Sequence, residues 1–388
     1  MTMAARNNIK TRIKAVVAMF GLGLAVGVCI AAVFAAVPSL RRVVGEEIMP
    51  RGFWYFMMWW CIAMLLLAAA AVLQVLIHET GHLLGGLSSG YRFVSFRIGN
   101  RMVVKEQGRW RFKRFSIEGT AGQCLLEPPS TPNGKFPYRL YCMGGVAANL
   151  VVSVAAVAVA AHVAMPVFWA ALLAMLFVSG TYIVITNGVP LKINGVPNDG
   201  YNLVTLGRDD FARRSLWLQL KVNALQSRGE RLRDMPGEWF SLPEGADMGN
   251  YMTVAVAGMA ADRLIEMHCF EQARDLLERA DAAGAGGVEI FRREVQAELL
   301  FVGIVTGGER WRLEQMYTPA LRRHVERYGR YMLSCIRLQY AWARLVERDT
   351  AKAEALLARA GEMYAGSPVK GEADAEMELI RWVETIEP

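Results

Sequence analysis

The chain alternates between long uncharged runs and short charged segments. Residues 15–37 carry no charged side chain, and neither do residues 52–77. A third uncharged run, Leu140 to Leu191, is too long for one membrane span and right for two, with a break at His162 to Pro166. A helix needs about 20 apolar residues to cross a bilayer. The pattern therefore predicts four spans, at about residues 15–37, 53–87, 141–161 and 167–187. Residues 38–51, opened by Pro38, read as a short loop. Trp54, Tyr55, Trp59 and Trp60 gather at the start of the second span, where aromatic anchors sit at a membrane interface. Ser88-Ser89-Gly90 ends that helix, because glycine is a favoured helix stop.

The period changes at Tyr91. Tyr91, Phe93 and Ser95 alternate with Arg92, Val94 and Phe96, and Trp110 and Phe112 alternate with Arg109, Arg111 and Lys113. Period two with aromatic and β-branched residues predicts strands, with a turn at Lys105-Glu106-Gln107-Gly108. Glu127 to Gly134, with three prolines, reads as an irregular loop.

After residue 200 the pattern is helical. Ala273, Leu276, Leu277, Arg279 and Ala280 recur eighty positions later as Ala353, Leu356, Leu357, Arg359 and Ala360. The spacing is similar to that of tetratricopeptide-like helical hairpins, which present a concave surface to a protein partner; a plain helical bundle is the alternative.

The fold class expected is mainly α. It comprises a polytopic membrane helix bundle of about four spans, a small β hairpin or sheet inserted at the membrane surface, and a C-terminal cytosolic helical, TPR-like region. The boundaries expected are residues 1–51 for an N-terminal anchor and short external loop, 52–205 for the core, and 206–388 for the cytosolic region. The first apolar run is long for a signal peptide, which favours an uncleaved anchor.

Composition supports a membrane protein: 54 % of residues are hydrophobic and 20 % charged. The net charge of +7 does not point to nucleic acid. Residues 1–14 carry four basic residues and no acid, residues 88–139 carry ten basic and three acidic residues, and 30 of the 36 acidic residues follow residue 191. The basic excess is juxtamembrane, so the positive-inside rule applies. It places the N-terminus, the 88–139 segment and the C-terminus on the cytoplasmic side of a bacterial-type cell membrane. Six cysteines without a CxxC pair read as scattered reduced thiols.

The chemistry lies at the end of the second span, where His78-Glu79-Thr80-Gly81-His82 reads His-Glu-x-x-His. Residues four apart share a helix face, so His78 and His82 can point two imidazoles at one metal, with Glu79 beside them to act on a bound water. Ionisable residues in a membrane helix are costly and mark function. A catalytic zinc keeps three protein ligands. Ser88 stands where the extended His-Glu-x-x-His-x-x-Gly-x-x-His pattern has its third histidine. Asp199, after the fourth span and on the same side of the membrane, is the best third ligand. Glu106, Glu118 and Glu127 remain open as alternatives. Asn149 and Asn187 are polar groups in or beside spans. They serve either the substrate and its oxyanion or hydrogen bonds between helices. Gly81 and Gly85 would let the fourth span approach the motif closely.

His-Glu-x-x-His on one span, with Asn187-Gly188-Val189-Pro190 leading into Asn198-Asp199-Gly200 after a later one, resembles the site-2 protease family of intramembrane zinc metalloproteases. Gly144-Gly145-Val146-Ala147-Ala148-Asn149 is similar to the Gly-Pro-x-x-Asn element of that family. The resemblance covers about residues 53–205. Two positions depart from it: Asn198 stands where leucine is usual, and Gly145 where proline is usual. The resemblance implies a Zn2+ ion ligated by His78, His82 and Asp199, with Glu79 as catalytic acid/base. It implies an endopeptidase that acts on membrane-spanning or membrane-associated polypeptides. Its partners are then that substrate, the lipid bilayer and a protein bound by the C-terminal helices. Two other classes stay open: a non-catalytic membrane receptor or scaffold, and a peptide export or immunity protein, each with a structural metal site.

Overall fold

The computed structural model describes residues 21–387 except 22, 25, 36, 107–108, 116–119, 131–135 and 194–195. The chain divides into two compact units. One comprises residues 1–89, 138–192 and 197–204, and the other residues 90–137, 193–196 and 205–388. Part of the first expected span lies outside the described residues.

The first unit is built on three packed helices, α2 (Phe53–Ser88), α3 (Tyr138–His162) and α4 (Val167–Gly188). All three are long and apolar enough to cross a membrane. A fourth span is present if the segments Val26–Ala35 and Leu40–Arg51, bent by 90° to one another, count as one. This is consistent with a membrane protein. Trp54, Leu65, Val72, Val151 and Trp169 are exposed on the outside of the bundle, while Gln74, Asn149, Ser153 and Ser179 are buried within it. Lipid-facing surfaces have this pattern, since polar groups in a bilayer must find partners inside the protein. The break between α3 and α4 falls at residues 163–166, as the sequence indicates, with His162 exposed at the end of α3.

The loop expected at residues 38–51 is helical instead. α1 (Pro38–Arg42) continues into a π-helical turn, Val43–Ile48, and a 3-10 turn, Met49–Arg51. Pro38 is tolerated because it is the first helical residue, where no intrahelical N–H is needed. Leu40, Val43 and Ile48 are buried in one cluster with Ala160, Ala170 and Ala174. Burial of these apolar side chains, rather than the proline, decides the conformation.

In the second unit the basic segment forms a four-stranded antiparallel sheet in the order β3-β2-β1-β4. Its strands are β1 (Arg92–Ile98), β2 (Arg101–Glu106), β3 (Arg109–Arg114) and β4 (Gly122–Glu127). One face buries Ser95, Arg97, Met102 and Val104, and the other leaves Trp110 and Phe112 exposed. Edge strand β3 carries Arg109, Arg111, Lys113 and Arg114, charges that blunt unwanted strand pairing. Glu127 ends β4 and is ion-paired with Lys221 (2.5 Å) and Arg228 (2.6 Å). Burial would raise its carboxyl, but the two cations outweigh burial and hold it at about 2.

The remainder is helical. α5 (Asp199–Arg208) begins in the first unit and is followed by α6 (Asp210–Ser227), α7 (Tyr251–Glu266), α8 (Phe270–Ala282), α9 (Glu289–Val305) and α10 (Arg310–Met316). α11 (Pro319–Tyr328), α12 (Leu333–Ala341), α13 (Thr350–Gly366) and α14 (Lys370–Glu384) complete the chain. Ala273, Leu277 and Ala280 of α8 and Ala353, Leu356 and Ala360 of α13 are buried in one core, so the recurring positions mark the inward faces of two helices. Asp209 caps α6 by accepting from the backbone N–H groups of Phe211 and Ala212.

Arg337 of α12, its side chain 2 % exposed, joins Glu298 (2.6 Å) and Glu376 (3.1 Å) and lies 4.0 Å over the Phe301 ring. Asp262, Glu294 and Glu372 stand with Arg337, Glu298 and Glu376 around a cavity of about 390 Å³. Burial and the neighbouring carboxylates push Glu294 up to about 7. Burial, opposed by Arg337, pushes Glu376 up to about 8.

Candidate metal centre

His78 and His82 lie one turn apart on the inner face of α2, and both are buried. Their Nε2 atoms are 3.0 Å apart. Asp199 Oδ2 is 3.1 Å from His78 Nε2 and 3.4 Å from His82 Nε2. These three residues form a group that could hold a metal ion. A tetrahedral zinc bound at about 2.0–2.1 Å spaces its ligand atoms about 3.3 Å apart, so the three distances fit that geometry. Glu79 is buried one residue round the helix from His78.

The donor set is also correctly protonated for a cation. His82 Nδ1 lies 2.6 Å from the Tyr141 carbonyl oxygen. A carbonyl only accepts, so Nδ1 carries the hydrogen and Nε2 keeps its lone pair. His78 Nδ1 lies 2.7 Å from Asn149 Oδ1. Two imidazole lone pairs and a carboxylate then converge on one point. Outer partners of this kind orient metal-binding histidines.

Close backbone contact positions the histidines. A β-carbon on Gly81 would run into the Gly144 carbonyl, and one on Gly85 into the Leu140 carbonyl. A β-carbon on Gly145 would lie 2.6 Å from His82 Nε2 and 2.7 Å from His78 Nδ1. The helix that approaches Gly81 and Gly85 is therefore α3, not α4 as expected. Gly81 stands opposite Gly144, and glycine against glycine permits the nearest approach of two helices.

Asp199 is positioned by the residue before it. Asn198 is buried, and its Oδ1 accepts from the backbone N–H groups of Tyr201 (2.9 Å) and Leu191 (3.1 Å). Its Nδ2 donates to the Thr186 and Val189 carbonyls at 2.6 Å each. Asn198 thus caps α5 and ties the turn back to the end of α4. Asp199 becomes the first residue of α5, where an acid also suits the helix dipole. Gly200 has no room for a β-carbon, which would meet the Gly188 carbonyl.

The other sequence candidates fall elsewhere. Asn149 is 0 % exposed, and its amide is engaged by His78 on one side and by Gln74 on the other. That engagement fits the helix-to-helix reading rather than substrate contact. Asn187 donates to the Ile183 carbonyl of its own helix at 3.3 Å. Glu127 is committed to Lys221 and Arg228. Glu118 and the side chain of Glu106 lie outside the described residues. Sequence reading passed over Gln74 and gave Asn198 no role. The signal for Gln74 was available, as the one amide side chain in the uncharged run 52–77.

No family model matches the chain, and no curated protein or solved structure matches it.

Proposed function

We propose that this chain is a zinc-dependent intramembrane endopeptidase of the site-2 protease type. The observation that carries the reading is the convergence of His78, His82 and Asp199 within one apolar helix bundle, with Glu79 buried beside them. When bound, zinc supplies a water of lowered pKa and polarises a carbonyl. His78, His82 and Asp199 would hold the ion. Glu79 takes the proton of the attacking water, holds it, and returns it to the leaving amine. The buried surroundings exclude bulk water and strengthen each of these electrostatic interactions.

In this reading the substrate is a membrane-spanning or membrane-associated polypeptide. Its scissile segment must unwind, because helical carbonyls are already hydrogen-bonded. The protein is multi-pass in the cell membrane, with both termini cytoplasmic and the basic sheet facing anionic headgroups. The C-terminal helices are TPR-like and hold a protein partner. A purely structural metal site in a receptor, exporter or immunity protein would need no proton-carrying carboxylate beside its histidines.

The reading is tested with purified full-length protein in lipid vesicles, loaded with zinc and given a panel of single-span peptides carrying helix-breaking residues at midspan. Internal cleavage that stops on chelation and returns with zinc supports it. Metal-loaded protein that leaves every peptide intact, or cleaves equally after chelation, contradicts it.

A further inference from the structure

Gln74 lies one turn before His78 on α2 and is 0 % exposed. An amide buried in an otherwise apolar span is costly unless each of its polar atoms is used. All of them are. Gln74 Nε2 donates to the Leu176 carbonyl of α4 at 2.8 Å. Gln74 Oε1 accepts from Asn149 Nδ2 of α3 at 2.6 Å, and the Gln74 backbone carbonyl accepts from the same nitrogen at 2.8 Å. Gly180 of α4 leaves the space: a β-carbon there would lie 2.5 Å from Gln74 Nε2.

The chain of bonds has only one consistent direction. Leu176 offers a carbonyl, which only accepts, so the Gln74 nitrogen must face it and the Gln74 oxygen must face Asn149. Asn149 must then turn its nitrogen to Gln74 and its oxygen to His78. An amide oxygen also only accepts, so His78 Nδ1, 2.7 Å away, carries the hydrogen. His78 Nε2 is left as a lone pair directed at Asp199 and His82. The tautomer of His82 is fixed by one backbone carbonyl, whereas that of His78 depends on two side chains anchored in a third helix.

We propose that Gln74 is a positioning residue of the metal centre. Through Asn149 it locks His78 in the Nδ1–H tautomer and aims Nε2 at the position of the ion. The proposal rests on reading His78, His82 and Asp199 as a metal site, but the hydrogen-bond chain exists without the metal and can be read without it.

The test uses full-length protein carrying 15N-labelled histidine, with Gln74→Leu and Gln74→Met to remove both amide atoms. Gln74→Glu is the conservative variant: kept neutral by burial, its hydroxyl can donate to Leu176 while its carbonyl accepts from Asn149. In metal-free wild type, His78 should show a single Nδ1–H tautomer. Gln74→Leu and Gln74→Met should turn it into a mixture without changing His82, and Gln74→Glu should restore it. Zinc affinity, measured by chelator competition, should fall about 10- to 100-fold in the first two variants and stay near wild type in the third, the range typical for loss of an outer partner. An unchanged His78 signal with unchanged zinc affinity in Gln74→Leu and Gln74→Met overturns the proposal. Wild type that takes up no zinc overturns the metal reading instead, while the tautomer signal still decides the role of Gln74.

Discussion

Asp199 Oδ2 stands 3.1 Å from His78 Nε2, although the first is the opening residue of α5 and the second sits on α2. Neither segment makes a metal site alone. Replacing Asp199 with asparagine should therefore lower zinc affinity by more than the roughly 100-fold upper end seen for outer partners. Helix content should be kept, since Asn198 still caps α5. Chelator competition and circular dichroism on the same sample check both halves of this expectation.

The cap itself makes a second prediction. Asn198→Ala removes two acceptor contacts and two donor contacts from one buried side chain. Loss of an N-cap costs about 0.5–2 kcal/mol. The stranded Thr186 and Val189 carbonyls add to that cost. Zinc affinity should fall although Asn198 touches no ligand position, and zinc-loaded protein should melt closer to the metal-free form than wild type does.

Gly81 faces the Gly144 carbonyl and Gly144 faces that of Gly81. Gly81→Val should force α2 and α3 apart at a cost of about 1–3 kcal/mol, as for other overpacked positions. The displacement acts on His82, one residue away, so metal binding and thermal stability should fall together. Substitution of Gly23, which meets nothing within 4 Å, should change neither.

Arg337 pairs with both Glu298 (2.6 Å) and Glu376 (3.1 Å). Arg337→Leu should destabilise the second unit by about 3–5 kcal/mol, because it leaves buried carboxylates unpaired. Adding Glu298→Gln and Glu376→Gln should recover part of that loss. Denaturant unfolding of the full-length protein, followed at Trp342, measures both effects.

The same cluster sets a pH dependence. Glu294 and Glu376 are pushed up to about 7 and about 8, above their unfolded values. The folded state then binds more protons than the unfolded state between about pH 4.5 and 8. Stability from these groups is present at low pH and is lost as pH rises through that window. Glu127 has the opposite sign: held at about 2, it contributes above its unfolded value and loses that contribution only as pH falls towards 2. Hydrogen exchange in α9 and α14, corrected for intrinsic rates, should show stronger protection at pH 5.5 than at pH 8, and Glu294→Gln should flatten the difference.

The features legible in the sequence are those whose signal is local. The long apolar helices could be read from uncharged runs, and His78, Glu79 and His82 from their spacing. Asp199 could be read because few acids follow the last span at once. What escaped depends on contacts between distant segments. Gln74 is one uncharged polar residue in an apolar run, and its meaning appears only when Asn149 and Leu176 arrive from two other helices. Small residues at Gly81 and Gly85 announce a close approach without saying which helix makes it. Residues 38–51 contain two prolines and two acids, yet burial of Leu40, Val43 and Ile48 makes them helical. Strands β2 and β4 have too little alternation to be separated from the turns beside them.

The most direct test of the central claim is one paired measurement on Glu79→Gln. The substitution keeps the size of the side chain and removes its capacity to take a proton. Protein purified from membranes is assayed for zinc content and for cleavage of a peptide that wild type cuts. The account predicts wild-type zinc content with cleavage lost. Cleavage at the wild-type rate by the zinc-loaded variant would contradict it.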